Sequence, residues 1–172
     1  MNSLSKYEKY RPEMKTGDCL LWRSHDILGG LIRVFSHYFN HAGLVICLPE
    51  YQGSIGRIWT HEAVSGGVEL NLLSERIQTY HGEVWWLPLE PKYDDVRRLI
   101  GEYSLSNAGC KYDYGSLFKN ILGHVSANAR KLFCSELVFL SYKYAGLVTG
   151  DIAPRPGDIQ KYELFSKIIQ IV

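Results

Sequence analysis

Residues 41–48 read HAGLVICL, and residues 57–64 read RIWTHEAV. The first stretch is a continuous apolar run after its histidine, which is typical of a strand buried on both faces. The second is rich in β-branched and aromatic residues, and the stretch PEYQGSIG between the two has the composition of a loop. We therefore predict two neighbouring strands, and the sheet that they begin decides the fold.

Further strands and helices extend the pattern on both sides. We predict further strands at CLLW (19–22), GVELNLL (67–73) and EVWWLPL (83–89). The first follows a turn at Thr16-Gly17-Asp18, and the second forms a hairpin with RIWTHEAV through Gly66-Gly67. We predict helices over 24–38 and 92–104, a long helix that begins near Cys134, and a C-terminal turn, short helical piece and last strand in PRPGDIQKYELFSKIIQIV. The order predicts an α+β domain with helices packed against one antiparallel sheet.

Composition describes an ordinary globular chain. Its 172 residues fit a single domain over 1–172, with 46% hydrophobic and 22% charged residues. The net charge of +1 gives no global field to recruit nucleic acid. We see neither a secretory signal nor an integral membrane segment, so we expect a cytoplasmic protein.

The four cysteines are Cys19, Cys47, Cys110 and Cys134, and no two of them form a CxxC pair. This spacing argues against a disulfide framework and against a zinc site, and we expect no metal and no cofactor. The chain also lacks a GxSxG elbow, an HExxH pair and a phosphate-binding loop.

Cys134 is the strongest candidate nucleophile among the cysteines. It opens an apolar run that ends at Ala145-Gly146, and Arg130 and Lys131 precede it. A cysteine at a helix N-terminus has its thiolate stabilised by free backbone N–H groups and by the helix dipole. Free cysteines are also among the most buried residues, so packing is the competing interpretation of Cys134 alone.

A thiolate nucleophile needs a base and a group that orients it. His41 begins an apolar strand, where a rigid side chain can face a neighbouring helix, although such a histidine can equally be a solvated cap. Glu62 lies inside the next strand and faces the opposite side from His61. A carboxylate there is costly unless it is paired, which favours a contact with His41; the alternative is a sheet face open to solvent.

At this point the sequence resembles a known family, the circularly permuted papain-like hydrolases of the YiiX/YebB type, a branch of the NlpC cysteine-peptidase superfamily. The similar pieces span nearly the whole chain in family order: KTGDCLLWR, FSHYFNHAGLVI, THEAVSGGVELNLLSERI, CKYDYGSLF, LFCSELVFLSYKYAG and APRPGDIQKYELF. The resemblance implies a permuted papain-like fold and a triad of His41, Glu62 and Cys134, with Cys134 as nucleophile, His41 as base and Glu62 as orienting carboxylate. One departure is NHAG where the family pattern is closer to SHxG.

The implied activity is that of a cysteine amidase or peptidase that acts on a peptide or an amino-acid conjugate. Two alternatives stay open: a lipid esterase, thioesterase or acyltransferase that uses the same triad, and a catalytically silent binding module. A nucleic-acid or membrane adaptor is disfavoured by the balanced charge.

Overall fold

A computed structural model describes residues 3–24, 38–48, 56–64, 66–110 and 129–172. The helix predicted over 24–38 lies almost wholly outside these residues, and within them Ser24 ends a strand rather than capping a helix. The long helix near Cys134 and the predicted strands fall inside the described residues, so the candidate site can be assessed there.

The centre of the fold is one antiparallel sheet of six strands in the order β4-β3-β2-β1-β5-β6. The strands are β1 (Cys19–Ser24), β2 (His41–Leu48), β3 (Arg57–Val64), β4 (Gly67–Leu72), β5 (Gly82–Leu87) and β6 (Ile169–Gln170). In the predicted hairpin, Val64 pairs with Gly67, whose φ of 133° is a conformation that favours glycine. The antiparallel sheet with several helices confirms the α+β fold class.

Helices lie against both faces of the sheet. They are α1 (Ser3–Tyr10), α2 (Leu73–Thr79), α3 (Arg97–Ser106), α4 (Ala129–Tyr144) and α5 (Pro156–Ile159), with 3-10 turns at Arg11–Glu13 and Pro91–Val96. On one face the core joins Leu21 and Leu44 of the sheet to Ile100 of α3 and Val138 of α4. We refer to this as the α3/α4 face.

The core on the opposite face, the α1/α2 face, joins Trp22 and Val45 of the sheet to Tyr7 of α1 and Ile77 of α2. Alternate residues of β1 and β2 therefore enter different cores. This explains why CLLW and HAGLVICL are continuous apolar runs, because both of their faces are covered.

A buried charge cluster joins β1 to the start of α3. Asp18 is 1% exposed, and its Oδ1 lies 2.7 Å from Nη1 of Arg97. Oδ1 also accepts a hydrogen bond from the Leu89 backbone N–H, and Oδ2 accepts from Nε1 of Trp86 and the Lys15 backbone N–H. Asp18, the last residue of the stretch TGD, is therefore a structural residue whose hydrogen bonds hold the turn before β1 against the core.

Three sequence predictions need correction. Helices α1 and α2 were not predicted, and α2 occupies Leu73, which we placed at the end of a strand. The helix predicted over 92–104 is a 3-10 turn as far as Val96, and its α-helical part runs on to Ser106.

Among the described residues, no helix combines the length and the apolar character that a membrane crossing needs.

Candidate active site

His41 lies at the end of the sheet, as the first residue of β2. It pairs with Trp22 of β1, and its side chain is 19% exposed. The Asn40 backbone N–H donates to the Trp22 carbonyl, which fixes the entry of the chain into the strand. A strand end held in this way gives the imidazole a defined direction.

Glu62 is fully buried on the neighbouring strand and contacts His41 directly. Its Oε2 lies 2.5 Å from Nε2 of His41, and the residue is 0% exposed. The interpretation of Glu62 as a solvated residue on an open sheet face is therefore wrong. Burial raises the pKa of Glu62, but the hydrogen bond with His41 and the charges of His41 and Arg76 outweigh burial and lower it.

Gly43 explains how a glutamate side chain fits over the sheet at this point. A Cβ atom on Gly43 would lie 2.9 Å from Cγ of Glu62 and 3.0 Å from Oγ1 of Thr60. Real Cβ atoms do not approach other atoms so closely, because the repulsion displaces the neighbour. The glycine of HAGLVICL thus leaves the space that Glu62 occupies on its way to His41.

Cys134 lies on α4, but not at the helix start that the sequence predicted. Within the described residues α4 begins at Ala129, so Cys134 is in the second turn. The helix dipole and the free N–H groups act mainly within the first turn, so they provide less stabilisation of a Cys134 thiolate than expected. The residue is 1% exposed, a burial that suits either a packed thiol or a shielded nucleophile.

Cys134 also interacts with His41, and this interaction affects the pKa of the imidazole. Burial lowers the pKa of His41, but the charge of Cys134, a hydrogen bond with Cys134 and the contact with Glu62 outweigh it and raise that pKa to about 10. Because Nε2 of His41 faces Glu62, the Nδ1 atom is the one left for the thiol. The raised pKa keeps a proton on His41, and an imidazolium is the partner that a thiolate would need.

The three candidate residues come from both layers of the molecule. Glu62 shares its strand face with Ile58, which packs in the core of the α1/α2 face. Helix α4, which carries Cys134, packs on the α3/α4 face. His41, at the end of its strand, contacts both residues.

The other cysteines differ from Cys134. Cys19 is fully buried and Cys47 half-buried in strands, and burial raises the pKa of both thiols. Cys110 is exposed. Only Cys134 acts on the pKa of His41, so it is the cysteine that the geometry joins to a base.

His61 belongs to a different environment from its neighbour Glu62. It faces α3, where its Nδ1 lies 2.6 Å from Oγ of Ser104, and it is 0% exposed. Burial lowers the pKa of His61 to about 4, so this histidine is neutral at physiological pH. It is part of the core and not of the His41 site.

Arg76 of α2 also contacts this site, and the sequence analysis missed it. Its Nε lies 3.3 Å from Oε1 of Glu62, and its Nη2 donates a 3.5 Å hydrogen bond to Oε2. The general rule that a buried carboxylate needs a cationic partner predicts such a residue. The sequence did not identify it, because Arg76 belongs to the unpredicted helix α2.

A cavity of about 380 Å³ lies on the α1/α2 face, lined by residues that include Tyr7, Arg11, Ile58 and Gln78. It contains none of the three candidate residues. Groups of three histidine, cysteine or carboxylate side chains that could hold a metal ion do not occur in the part of the chain that the structure describes.

Comparison with known proteins does not extend this description. The sequence matches no known family model, and it matches no curated protein significantly. The functional interpretation therefore depends on the contacts among Cys134, His41, Glu62 and Arg76.

Proposed function

We propose that this protein is a cysteine hydrolase that cleaves an amide bond in a peptide or an amino-acid conjugate. The observation that carries the proposal is the position of His41 between a thiol and a buried carboxylate, with its pKa raised to about 10. Such an arrangement activates a weak nucleophile by holding its proton on an oriented base. The resemblance to the permuted NlpC-type hydrolases agrees with this assignment.

In the proposed reaction, the Cys134 thiolate attacks the carbonyl carbon and forms a C–S bond. The tetrahedral intermediate then breaks its C–N bond, and His41 gives its proton to the departing amine. Water attacks the resulting thioester while His41 accepts one of its protons. The C–S bond breaks, the acid is released, and the proton returns the His41–Cys134 pair to its starting state.

The role proposed for Glu62 is to hold the imidazole in one orientation and to stabilise its charged form. A carboxylate 2.5 Å from Nε2 fixes the ring so that Nδ1 faces the thiol. The charge of Glu62 also offsets the cost of a buried imidazolium. The carboxylate therefore acts through His41, without contacting the substrate.

A first experiment tests the Cys134–His41 pair without a known substrate. The rate of iodoacetamide alkylation at Cys134 is followed against pH by peptide mass spectrometry, with the exposed Cys110 as an internal reference. Burial slows the reagent similarly at every pH, so the midpoint is informative and the absolute rate is not. We expect the pH dependence of Cys134 alkylation to depend on His41, because an imidazolium supplies the counter-charge of the thiolate.

The variant His41→Ala decides the outcome. We expect the alkylation midpoint of Cys134 to rise in this variant, because the thiolate loses its counter-charge, while Cys110 is unchanged. A Cys134 midpoint that is the same in both proteins would mean a packed thiol and would refute the proposed function.

A second experiment screens matched amide and ester substrates with the wild type and with Cys134→Ala. Loss of nearly all turnover in the variant supports the acyl-enzyme, because the members of such a unit fail together. Hydrolysis of esters alone would replace the amidase assignment with the lipid esterase alternative. A fully active Cys134→Ala variant would exclude Cys134 as the nucleophile.

A further inference from the structure

Arg76 continues the line of contacts from Cys134 through His41 and Glu62. Of the two Glu62 oxygens, Oε2 contacts both His41 and Arg76. The other oxygen, Oε1, lies 3.3 Å from Nε of the Arg76 guanidinium. Arg76, together with the Thr60 side chain, therefore adds to the stabilisation that Glu62 obtains from His41.

The charges of the four groups alternate. A thiolate, an imidazolium, a carboxylate and a guanidinium together carry no net charge. Without Arg76 the same buried group would carry a net negative charge, which low-dielectric surroundings disfavour. The charge of Arg76 thus favours ionisation of both Glu62 and Cys134.

Aromatic rings hold the guanidinium in place. Its Cζ atom lies 5.0 Å from the ring centre of Trp22 and 5.2 Å from that of Tyr80, both within the range of cation–π attraction. The two rings pack edge to face at 4.9 Å. Trp22 also lies beside His41, with ring centres 6.4 Å apart. The Arg76 side chain, 27% exposed, is consequently ordered toward Glu62 instead of solvent.

We propose that Arg76 is a positioning residue of the active site, which sets the lowest pH at which the Cys134 thiolate forms by holding Glu62 ionised and aligned on His41. This inference rests on the proposed function, because it requires that Cys134 and His41 form an ion pair. It adds a residue whose effect travels through Glu62 and which does not contact the reacting atoms.

The expected effect has a definite sign. Loss of the positive charge makes both Glu62 and Cys134 harder to ionise, so the midpoint of Cys134 alkylation moves to higher pH. A neighbouring arginine shifts a carboxylate by about 1–3 pKa units, and the partial exposure of Arg76 places it near the lower limit. Because the effect reaches the thiol only through Glu62 and His41, we expect Arg76→Met to react more slowly on the acidic side of the midpoint, by at most about tenfold, and nearly normally on the alkaline side.

The test measures the alkylation midpoint of Cys134 in the wild type, Arg76→Met, Arg76→Lys and Arg98→Met. Arg98 is the matched control, because its side chain is 76% exposed and, within the described part of the chain, forms an ion pair with Glu102 alone. We expect a raised midpoint in Arg76→Met, a midpoint near the wild type in Arg76→Lys, and no change in Arg98→Met. If Arg76→Met does not fold, Arg76→Gln replaces it.

Two results would overturn the inference. A lower rate at every pH without a shifted midpoint would mean that Arg76 only supports the structure, and an equal shift in Arg98→Met would mean a general charge effect. His41→Ala is measured alongside. If His41→Ala moves the midpoint and Arg76→Met does not, only the inference about Arg76 fails; if neither moves it, the proposed function fails.

Discussion

Asp18 and Asp94 offer a direct test of what holds this fold together, because both carboxylates contact the same arginine. Asp18 is 1% exposed and lies 2.7 Å from Nη1 of Arg97, whereas Asp94 lies 2.6 Å from Nε of Arg97 with its side chain 42% exposed. We compare Asp18→Asn with Asp94→Asn. Each change removes one charge and keeps the size of the side chain.

The magnitude for Asp18→Asn follows from its four hydrogen bonds. Arg97 and Leu89 donate to Oδ1, and Trp86 and Lys15 donate to Oδ2. An asparagine has one acceptor oxygen, so in either orientation its NH₂ group faces two N–H donors that it cannot satisfy. Each unsatisfied buried donor costs about 1–3 kcal/mol, and breaking a buried ion pair costs about 3–5 kcal/mol. The two costs partly count the same lost contacts, so we expect Asp18→Asn to lower the free energy of unfolding by about 4 kcal/mol.

For Asp94→Asn we expect a much smaller loss than for Asp18→Asn, because water screens exposed ion pairs. Urea denaturation followed by fluorescence and circular dichroism measures both values. With a typical slope of about 2 kcal/mol per molar urea, Asp18→Asn should unfold at about 2 M less urea than the wild type. Equal losses in the two variants, or a loss below about 1 kcal/mol for Asp18→Asn, would refute this account of the buried cluster.

Three further predictions concern the candidate site and its neighbour. Glu62→Gln should raise the pH midpoint of Cys134 alkylation, because the imidazolium loses its counter-charge; Glu69→Gln, a change at the exposed cross-strand neighbour of Glu62, should leave that midpoint unchanged. Gly43→Ala should cost about 1–3 kcal/mol in urea denaturation and weaken the effect of His41 on Cys134, because the new Cβ displaces Glu62; retention of both stability and midpoint would contradict the close approach. The pKa of His61 in the folded protein, about 4, lies below the usual value of 6.5, so its contribution to the free energy of unfolding is fully present above pH 6.5 and is lost as the pH falls toward 4. This loss amounts to about 3 kcal/mol and should be absent in His61→Gln, which urea denaturation at several pH values measures.

The sequence predicted the sheet well, because each strand is marked by a local pattern of apolar and turn residues. HAGLVICL and RIWTHEAV coincide with β2 and β3, and Gly66-Gly67 marks the hairpin between β3 and β4. Buried strands are continuous apolar runs with clear turn residues at their ends, and a short window of sequence contains both signals.

The short helices were missed for a physical reason. Helix α1 has 8 residues and α2 has 7, which is too short for a repeating apolar stripe to stand out in the sequence. Tyr7 of α1 is buried, and so are Leu73 and Ile77 of α2. The start of α4 was misplaced for a related reason. The apolar run that we read as opening at Cys134 comes shortly after Arg130 and Lys131, and these two charged residues gave no sign that the helix begins at Ala129.

The candidate site was predictable where one residue's chemistry demands another. A carboxylate inside an apolar strand requires a partner, and Glu62 contacts His41 as that argument expected. The participation of Arg76 depends on how α2 packs against β3, which no local pattern encodes. Gly43 has no side chain, and its importance becomes visible only from the space beside it that Glu62 occupies.

The order of the three residues along the chain has a consequence for biosynthesis. His41 and Glu62 belong to β2 and β3, which leave the ribosome long before Cys134. A growing chain can therefore form the histidine–carboxylate contact while it still lacks the thiol that would react with cellular electrophiles. On the proposed chemistry, hydrolytic activity begins only when α4 has been synthesised and has docked on the sheet, so an incomplete chain lacks that activity.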